Sequence, residues 1–291
     1  MENIQKVIKQ FKLPILSIDT VPESFSSEVY KIQLINKKNV YIKIPFSKDK
    51  LFREYKMLIK LKNYMSVPTV LDYWEGDETV TGALLLEEII GVPCLGRIDF
   101  QLAFQIGVNH AMLHALSMPV YGAETENGFK PLENNDWRNF IQQTFIKFET
   151  HTRLELSNDL YEKSIRHFEL IFPTLPAPDG PCIIHMDFRP GNILIHDNKV
   201  SGIIDFESAR VGSTEIDFAK INRDVWSKYE GTRDAYISGY ESIRPILDLD
   251  SILSFYSFYD AFNSIGWCRL RGVDKHQAFL NENIEILRKI L

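Results

Sequence analysis

His185-Met186-Asp187-Phe188-Arg189-Pro190-Gly191-Asn192 runs into the apolar segment Ile193-Leu194-Ile195. After His196-Asp197-Asn198-Lys199 the chain resumes as Val200-Ser201-Gly202-Ile203-Ile204-Asp205-Phe206-Glu207. An Asp followed five residues later by an Asn lets one tight loop aim a carboxylate at an acceptor and an amide oxygen at a metal, with Pro190-Gly191 bending the chain between them. The two apolar runs read as a β-hairpin, so Asp205 emerges at a strand end beside the same loop. Phosphoryl transfer needs a carboxylate to receive or orient a hydroxyl and oxygen ligands to hold Mg²⁺ on nucleotide phosphates, and Asp187, Asn192 and Asp205 can supply them. Either motif alone arises by chance; the hairpin that joins them gives the pattern its weight.

Working outward, the segment before residue 88 has the pattern of a small sheet. Residues 3–12 read as a short amphipathic helix, followed by a break at Pro14, Pro22 and Ser24-Phe25-Ser26-Ser27. Glu28 to Ile35 and Asn39 to Ile44 form a predicted hairpin, and Val70 to Trp74 and Gly82 to Glu87 complete the sheet. Ser47 opens a helix to about Asn63, with Leu51, Tyr55, Leu58 and Leu61 near one face and Glu54 pointing elsewhere. Lys43 near a strand end is the candidate phosphate contact, and Glu54 is the carboxylate that would keep it charged and oriented. Surface charges on a strand edge and a helix are the ordinary alternative. The backbone from Glu87 to Ile89 precedes Gly91-Val92-Pro93 and could hydrogen-bond a purine edge.

Beyond residue 89 the pattern is helical: Phe100 to Leu116, Asp136 to Arg153, Asn158 to Phe172, Ile216 to Trp226, Thr232 to Ile243, Asp250 to Gly266 and Lys275 to Leu291. His110 and His114 have metal-ligand spacing, but without an HExxH pattern or third ligand they are expected to pack or hydrogen-bond. Phe255, Tyr256, Phe258, Tyr259, Phe262 and Trp267 are expected in the core.

The 291 residues, 45% hydrophobic and 25% charged, suit a folded, water-soluble chain of one large domain or two lobes. No apolar run approaches a bilayer span, so the expected compartment is the cytoplasm. Cys94, Cys182 and Cys268 are too few and too scattered for a disulfide framework or a CxxC site. Residues 1–88 carry 13 Lys and Arg against 12 Asp and Glu; the remaining 20 against 27 give residues 89–291 a charge of −7. An acidic second lobe suits a cationic, hydroxylated substrate and gives no support for nucleic-acid binding.

Lys43, Glu54, the Leu84 to Gly91 connector, His114, HMDFRPGN, GIIDFESA and Ile216-Asp217-Phe218-Ala219 together resemble the aminoglycoside phosphotransferase family over nearly the whole chain. The resemblance implies an α+β, bilobal protein-kinase-like fold. Its lobes would be an N-terminal nucleotide-binding lobe, residues 1–88, with an antiparallel sheet and a helix, and a larger, mainly helical catalytic and substrate-binding lobe, residues 89–291. It implies ATP or GTP with Mg²⁺, Asp187 as base, Asn192 and Asp205 as metal ligands, Lys43 and Glu54 as the phosphate-holding pair, and His185 and Asp217 as residues that orient the loop. The family pattern differs at Met186, where Gly is frequent, and at Arg189, where His is frequent. Arg189 is expected to stabilise charge on the transferring phosphate, with a salt bridge to a neighbouring acid as the alternative. The loop before Val29 lacks glycine, so backbone amides or the hydroxyls of Ser24, Ser26 and Ser27 would have to cover the phosphates.

The leading expectation is transfer of phosphate to a hydroxyl of an aminoglycoside or similar antibiotic, with Glu207, Asp260, Glu282 and Glu285 as candidate substrate contacts. A metabolic kinase for an amino alcohol, sugar or nucleoside fits the same motifs, and a nucleotide-binding regulatory pseudokinase is the reading from another class. A protein kinase is disfavoured because no Ala-Pro-Glu segment follows Asp205-Phe206-Glu207.

Overall fold

The computed structural model describes residues 2–22 and 26–291; Ser24 lies outside them. The N-terminal lobe is a five-stranded antiparallel sheet in the order β1-β2-β3-β5-β4, formed by β1 (Ile15–Thr20), β2 (Ser27–Leu34), β3 (Asn39–Pro45), β4 (Val70–Trp74) and β5 (Ala83–Glu87). Side chains alternate across it. Val40, Ile42, Ile44, Ala83 and Leu85 meet Ile4 and Val7 of helix α1 (Glu2–Phe11) on one face, whereas Leu84 and Leu86 join the core that contains Leu51, Leu58 and Leu61 of helix α2 (Lys48–Leu61). Lys43 lies one residue from Ile42 and Ile44, so its side chain goes to the α2 face.

Ser47 caps α2 by accepting from the Lys50 amide. Glu54 does not point away from the apolar stripe. It lies within the stripe, buried with Leu51, Leu58 and Leu61, which puts a carboxylate under the sheet opposite Lys43. Strand β1 was not foreseen because Pro14 and Pro22 bracket it. As an edge strand with mostly exposed side chains it tolerates both prolines.

The connector leads into β6 (Val92–Pro93), which pairs with the motif hairpin. Gly91, at φ +153, has no room for a side chain: a Cβ would sit 2.5 Å from Ser201 Oγ. Helix α3 (Phe100–His114) then runs through the C-terminal lobe, followed by the hairpin of β7 (Gly122–Thr125) and β8 (Gly128–Pro131), and helices α4 (Trp137–Arg153) and α5 (Asn158–Ile171). Strand β9 (Cys182–Ile184) feeds the loop 185–192. The hairpin β10 (Ile193–His196) and β11 (Lys199–Ile203) turns through Asp197 and Asn198, at φ 49 and 57, a tighter two-residue turn than the four-residue one expected. Strand β12 (Arg210–Gly212) joins a sheet of order β8-β7-β12-β9.

The helix expected over 216–226 is broken into a 3₁₀ turn at Thr214–Asp217, α6 (Phe218–Ile221) and a π-helical turn at Asn222–Trp226. Helices α7 (Thr232–Glu241), α8 (Leu253–Arg271) and α9 (Val273–Ile290) complete the lobe. Phe255, Tyr256, Phe258, Tyr259 and Phe262 are buried in α8 as expected, while Trp267 is only partly buried. The three cysteines are buried free thiols. Helices α3 and α7 touch backbone to backbone: a Cβ on Gly107 would meet the Tyr236 carbonyl at 2.1 Å, and one on Gly239 the Phe104 carbonyl at 2.0 Å. This approach sets the distance between histidines on α3 and tyrosines on α7. Among the described residues no helix is long and apolar enough to cross a membrane.

Candidate active site

Lys43 stands at the junction of the two lobes. Its Nζ lies 2.6 Å from Glu54 Oε2, 2.5 Å from Asp205 Oδ1 and 3.3 Å from Glu207 Oε2. The side chains of Lys43 and Glu54 are 6% and 2% exposed, whereas that of Asp205 is 30% exposed, so the pair is sealed and Asp205 faces the cleft. Burial acts against the Lys43 charge, but Asp205, Glu54 and Glu207 outweigh it and hold the ammonium well above the ordinary lysine range. Burial pushes Glu54 up to about 7; Lys43 pulls the other way, and the Asp205 and Glu207 charges reinforce the rise. Lys50 adds a second cation, 2.6 Å from Glu207 Oε1, and Ser26 Oγ donates to the same oxygen. Burial would raise Glu207, but Lys43 and Lys50 hold it down at about 2.

The loop 185–192 is held from beneath by Asp217. Its carboxylate accepts the amides of His185 at 2.6 Å and Met186 at 2.7 Å, and the Nε2 groups of His110 and His114 at 3.4 and 3.3 Å. Each imidazole is backed by a tyrosine hydroxyl, Tyr236 for His110 and, at 2.8 Å, Tyr240 for His114. Burial lowers both histidines, His110 to about 3, so the rings are neutral, with Nε2–H donating to Asp217 and Nδ1 accepting from tyrosine. Burial would raise Asp217, yet His110 and His114 keep it below the usual carboxylate range. His110 also stacks on Phe188, ring centroids 3.8 Å apart. Met186 has φ 67, a left-handed conformation that a methionine adopts only when the surroundings impose it. His185 donates from Nε2 to the Ile204 carbonyl at 3.0 Å and accepts the Asp187 amide at Nδ1 at 3.3 Å, which ties the loop to the strand that delivers Asp205.

Asn192 donates to Asp187 Oδ2 at 2.8 Å and to the Asp187 carbonyl at 2.9 Å, leaving its Oδ1 for another partner. The Ile204 amide bonds the Asn192 carbonyl at 3.0 Å, so Asn192 and Asp205 are fixed relative to each other. Arg189 Nε bonds Asp187 Oδ2 at 3.1 Å, which is the salt-bridge alternative. A group not singled out from sequence, Lys220 of α6, lies 3.5 Å from Asp187 Oδ1 and 3.2 Å from Asp260 Oδ1. Arg223 and Asp224 continue the chain of alternating charge, Arg223 bonding Asp260 at 2.9 Å and Asp224 at 3.0 Å. Burial opposes charge on Asp260, but Lys220 and Arg223 hold its pKa down.

Lys43, Glu54 and Asp205 thus form one cluster and Asp187, Arg189 and Asn192 another, joined through the bond between the Ile204 amide and the Asn192 carbonyl, and the remaining candidates divide. Ser26 is engaged with Glu207, and Ser27 is buried in β2. Glu87 donates its amide to the Thr69 carbonyl at 2.9 Å with its side chain exposed, and Ile89 packs over Gly202. Glu207 is turned inward to Lys43 and Lys50 and Asp260 is tied to Lys220 and Arg223, so neither offers the free acid expected of a substrate contact. Glu282 is exposed and Glu285 pairs with Arg288 within α9.

A family model described as the phosphotransferase enzyme family matches residues 17–249, four-fifths of the chain. The chain belongs to this family. Similar relatives include a homoserine kinase of Gluconacetobacter diazotrophicus, 40% identical over 28% of this chain and 27% of that protein, and one of Methylobacillus flagellatus, 28% identical over 44% and 40%. These matches therefore span well under half the length of the relatives. Among solved structures, a GDP and kanamycin complex of APH(2")-IIIa superposes with TM-score 0.76 at 19% identity, covering 99% of this chain and 98% of that one. A ternary complex of aminoglycoside phosphotransferase APH(4)-Ia with ADP and hygromycin B gives 0.72 at 15%, covering 98% and 97%. Macrolide 2'-phosphotransferase MphH from Brachybacterium faecium gives 0.66 at 13%, covering 99% and 98%. The phosphotransferase family member described here thus has the bilobal, kinase-like α+β fold expected from its motifs.

Proposed function

We propose that the protein is a Mg²⁺-dependent small-molecule O-phosphotransferase that moves the γ-phosphoryl group of ATP or GTP to a hydroxyl. The observation that carries this reading is the meeting of Lys43 with both Glu54 and Asp205, groups brought together from β3, α2 and the end of the motif hairpin. Residues 1–88 serve as the nucleotide lobe, with the Ser26-Ser27 segment toward the phosphates, and the connector backbone at Ile89, just past the Glu87 amide that Thr69 already engages, lies toward the purine. Residues 89–291 serve as the catalytic and substrate lobe.

In the reaction the acceptor oxygen bonds to Pγ as the bond from Pγ to the β–γ bridging oxygen breaks, and the hydroxyl proton passes to Asp187, giving a phosphomonoester and the nucleoside diphosphate. Arg189, Lys220 and Asn192 orient the Asp187 carboxylate. Lys43, fixed by Glu54, contacts the nucleotide phosphates. Three carboxylates face Lys43, one of them shared with Lys50, and Asp205 Oδ2 and Asn192 Oδ1 remain available, a hard-oxygen set that fits Mg²⁺. When bound there, Mg²⁺ supplies charge neutralisation on the phosphates.

Two acceptor classes have support. A hydroxylated metabolite is favoured by the homoserine kinase matches and by the charge around Asp187, where Arg189, Lys220, Arg223 and Lys228 outnumber Asp187, Asp224 and Asp260. A cationic antibiotic such as an aminoglycoside is favoured by the −7 charge of residues 89–291. Mass spectrometry of aminoglycosides, amino alcohols, sugars, nucleosides and hydroxy amino acids incubated with the protein, Mg²⁺ and ATP or GTP decides between them. A phosphoryl adduct that Asp187→Asn abolishes is the expected result. Nucleotide binding without any adduct would return the regulatory pseudokinase reading.

A further inference from the structure

Against Arg189, which bonds Asp187, a pocket of about 190 Å³ opens between the motif loop and the π-helical turn, lined by Arg189, Gly191, Asp224, Lys228 and Tyr229 among others. This is smaller than the roughly 300–1,000 Å³ that houses a drug-sized ligand. Its charge is distinctive in a chain whose net charge is −6. Asp224 is gripped at both oxygens by Arg223, Nε to Oδ1 at 3.1 Å and Nη2 to Oδ2 at 3.0 Å. Asp187 is matched by Lys220 and by Nε of Arg189. The cations among the lining residues are Arg189, whose Nη1 lies over Gly191, and Lys228, 52% exposed and 3.4 Å from an already paired Asp224.

Gly191 is part of the arrangement. Arg189 Nη1 lies 2.6 Å from where a Cβ at residue 191 would stand, so the absent side chain lets the guanidinium lie across the loop. The π-helical turn, a feature frequent at functional sites, carries Arg223 and Asp224, with Lys228 just beyond it.

We infer that this pocket binds a carboxylate of the acceptor between Arg189 and Lys228, so that the substrate is a small hydroxy acid or hydroxy amino acid. The inference rests on the phosphotransferase reading and names the substrate class of the same site. A guanidinium presents parallel N–H donors that match the two oxygens of a carboxylate, and Lys228 adds a mobile point charge opposite. The hydroxyl then lies toward Asp187, since Arg189 both lines the pocket and bonds Asp187 through Nε. A polycation at this position meets like charge, which disfavours it. The carboxylate is not consumed; it only orients the hydroxyl for the transfer described above.

The test compares acids with their decarboxylated counterparts at fixed Mg²⁺ and nucleotide: L-homoserine against 3-aminopropan-1-ol, L-serine against ethanolamine, and D-glycerate against ethylene glycol, with kanamycin alongside. At least one acid is expected to exceed its counterpart in kcat/KM by about tenfold or more, the scale of one charge-assisted contact. Lys228→Ala raises KM for that acid by about tenfold, with a much smaller effect on the amino alcohol, and Lys228→Glu raises it further. Turnover of an uncharged or cationic acceptor in preference to every acid overturns the pocket assignment and leaves the phosphotransferase intact. Failure of all acceptors, with nucleotide hydrolysis identical in wild type and Asp187→Asn, overturns both.

Discussion

Replacing Asp217 by Asn is the substitution whose outcome the structure specifies most fully. The carboxylate has four donors pointed at it, two backbone amides at 2.6 and 2.7 Å and two imidazoles at 3.3 and 3.4 Å. An amide of the same shape keeps one acceptor oxygen and turns an N–H₂ toward the other donors. At least one backbone amide is then buried without an acceptor, at about 1–3 kcal/mol, and the remaining bonds lose their charge assistance. A total loss of about 3 kcal/mol is expected, a large fraction of a typical stability but not enough to unfold the protein. Urea denaturation followed by tryptophan fluorescence measures it. The same change releases Met186 from φ 67 and lets Asp187 drift, so kcat falls by about 100-fold, the scale of a misplaced reacting group. The KM for nucleotide changes little, because Lys43 and Glu54 are held independently. A stability loss under about 1 kcal/mol, or an unaltered kcat, would refute the claim that Asp217 holds the loop.

Other expectations follow from the same contacts. His110 titrates near 3 in the folded state against an ordinary 6.5, mainly through burial. The unfolded chain therefore binds more protons between those values, and stability falls as pH drops from 6.5, by about 2 kcal/mol at pH 5; His110→Gln should flatten that slope in urea titrations at several pH values. Lys43→Met leaves Glu54, Asp205 and Glu207 facing one another, so nucleotide affinity should fall and stability should drop by about 3 kcal/mol at pH 7, read by calorimetry and chemical denaturation. Phe188→Ala removes the ring stacked on His110 in a fully buried site and should cost about 3–5 kcal/mol, checked by thermal denaturation. Chelation of Mg²⁺ should abolish turnover, and Asp205→Asn should raise the Mg²⁺ concentration needed for half-maximal rate.

Local pattern was enough for the elements that hold the candidate site. The spacing from Asp187 to Asn192 and the alternation of Val40, Ile42 and Ile44 around Lys43 correspond directly to a loop and to a strand face. Glu54 shows the limit of that reading: a carboxylate in an apolar stripe looks like an interruption until its partner on β3 is known. Lys220 and Arg223 gave no signal, because their role depends on Asp260, a helix away in sequence, and on the π-helical turn, which has no periodicity of its own. Tyr236 and Tyr240 were likewise invisible as partners of His110 and His114. Gly107 and Gly239 could have hinted at a close helix crossing, but not at which helices cross. The second-lobe charge of −7 is a sum over 203 residues and carries no information on the local balance beside Asp187, where Arg189 and Lys220 lie against the carboxylate.

The central claim is that Asp187 performs transfer while Lys43, Glu54, Asn192 and Asp205 hold the nucleotide and its metal. Parallel measurement of nucleotide affinity by calorimetry and of acceptor phosphorylation by mass spectrometry, in wild type and Asp187→Asn, tests it most directly. Transfer abolished with nucleotide affinity retained is the predicted result; equal transfer by both proteins would contradict the account.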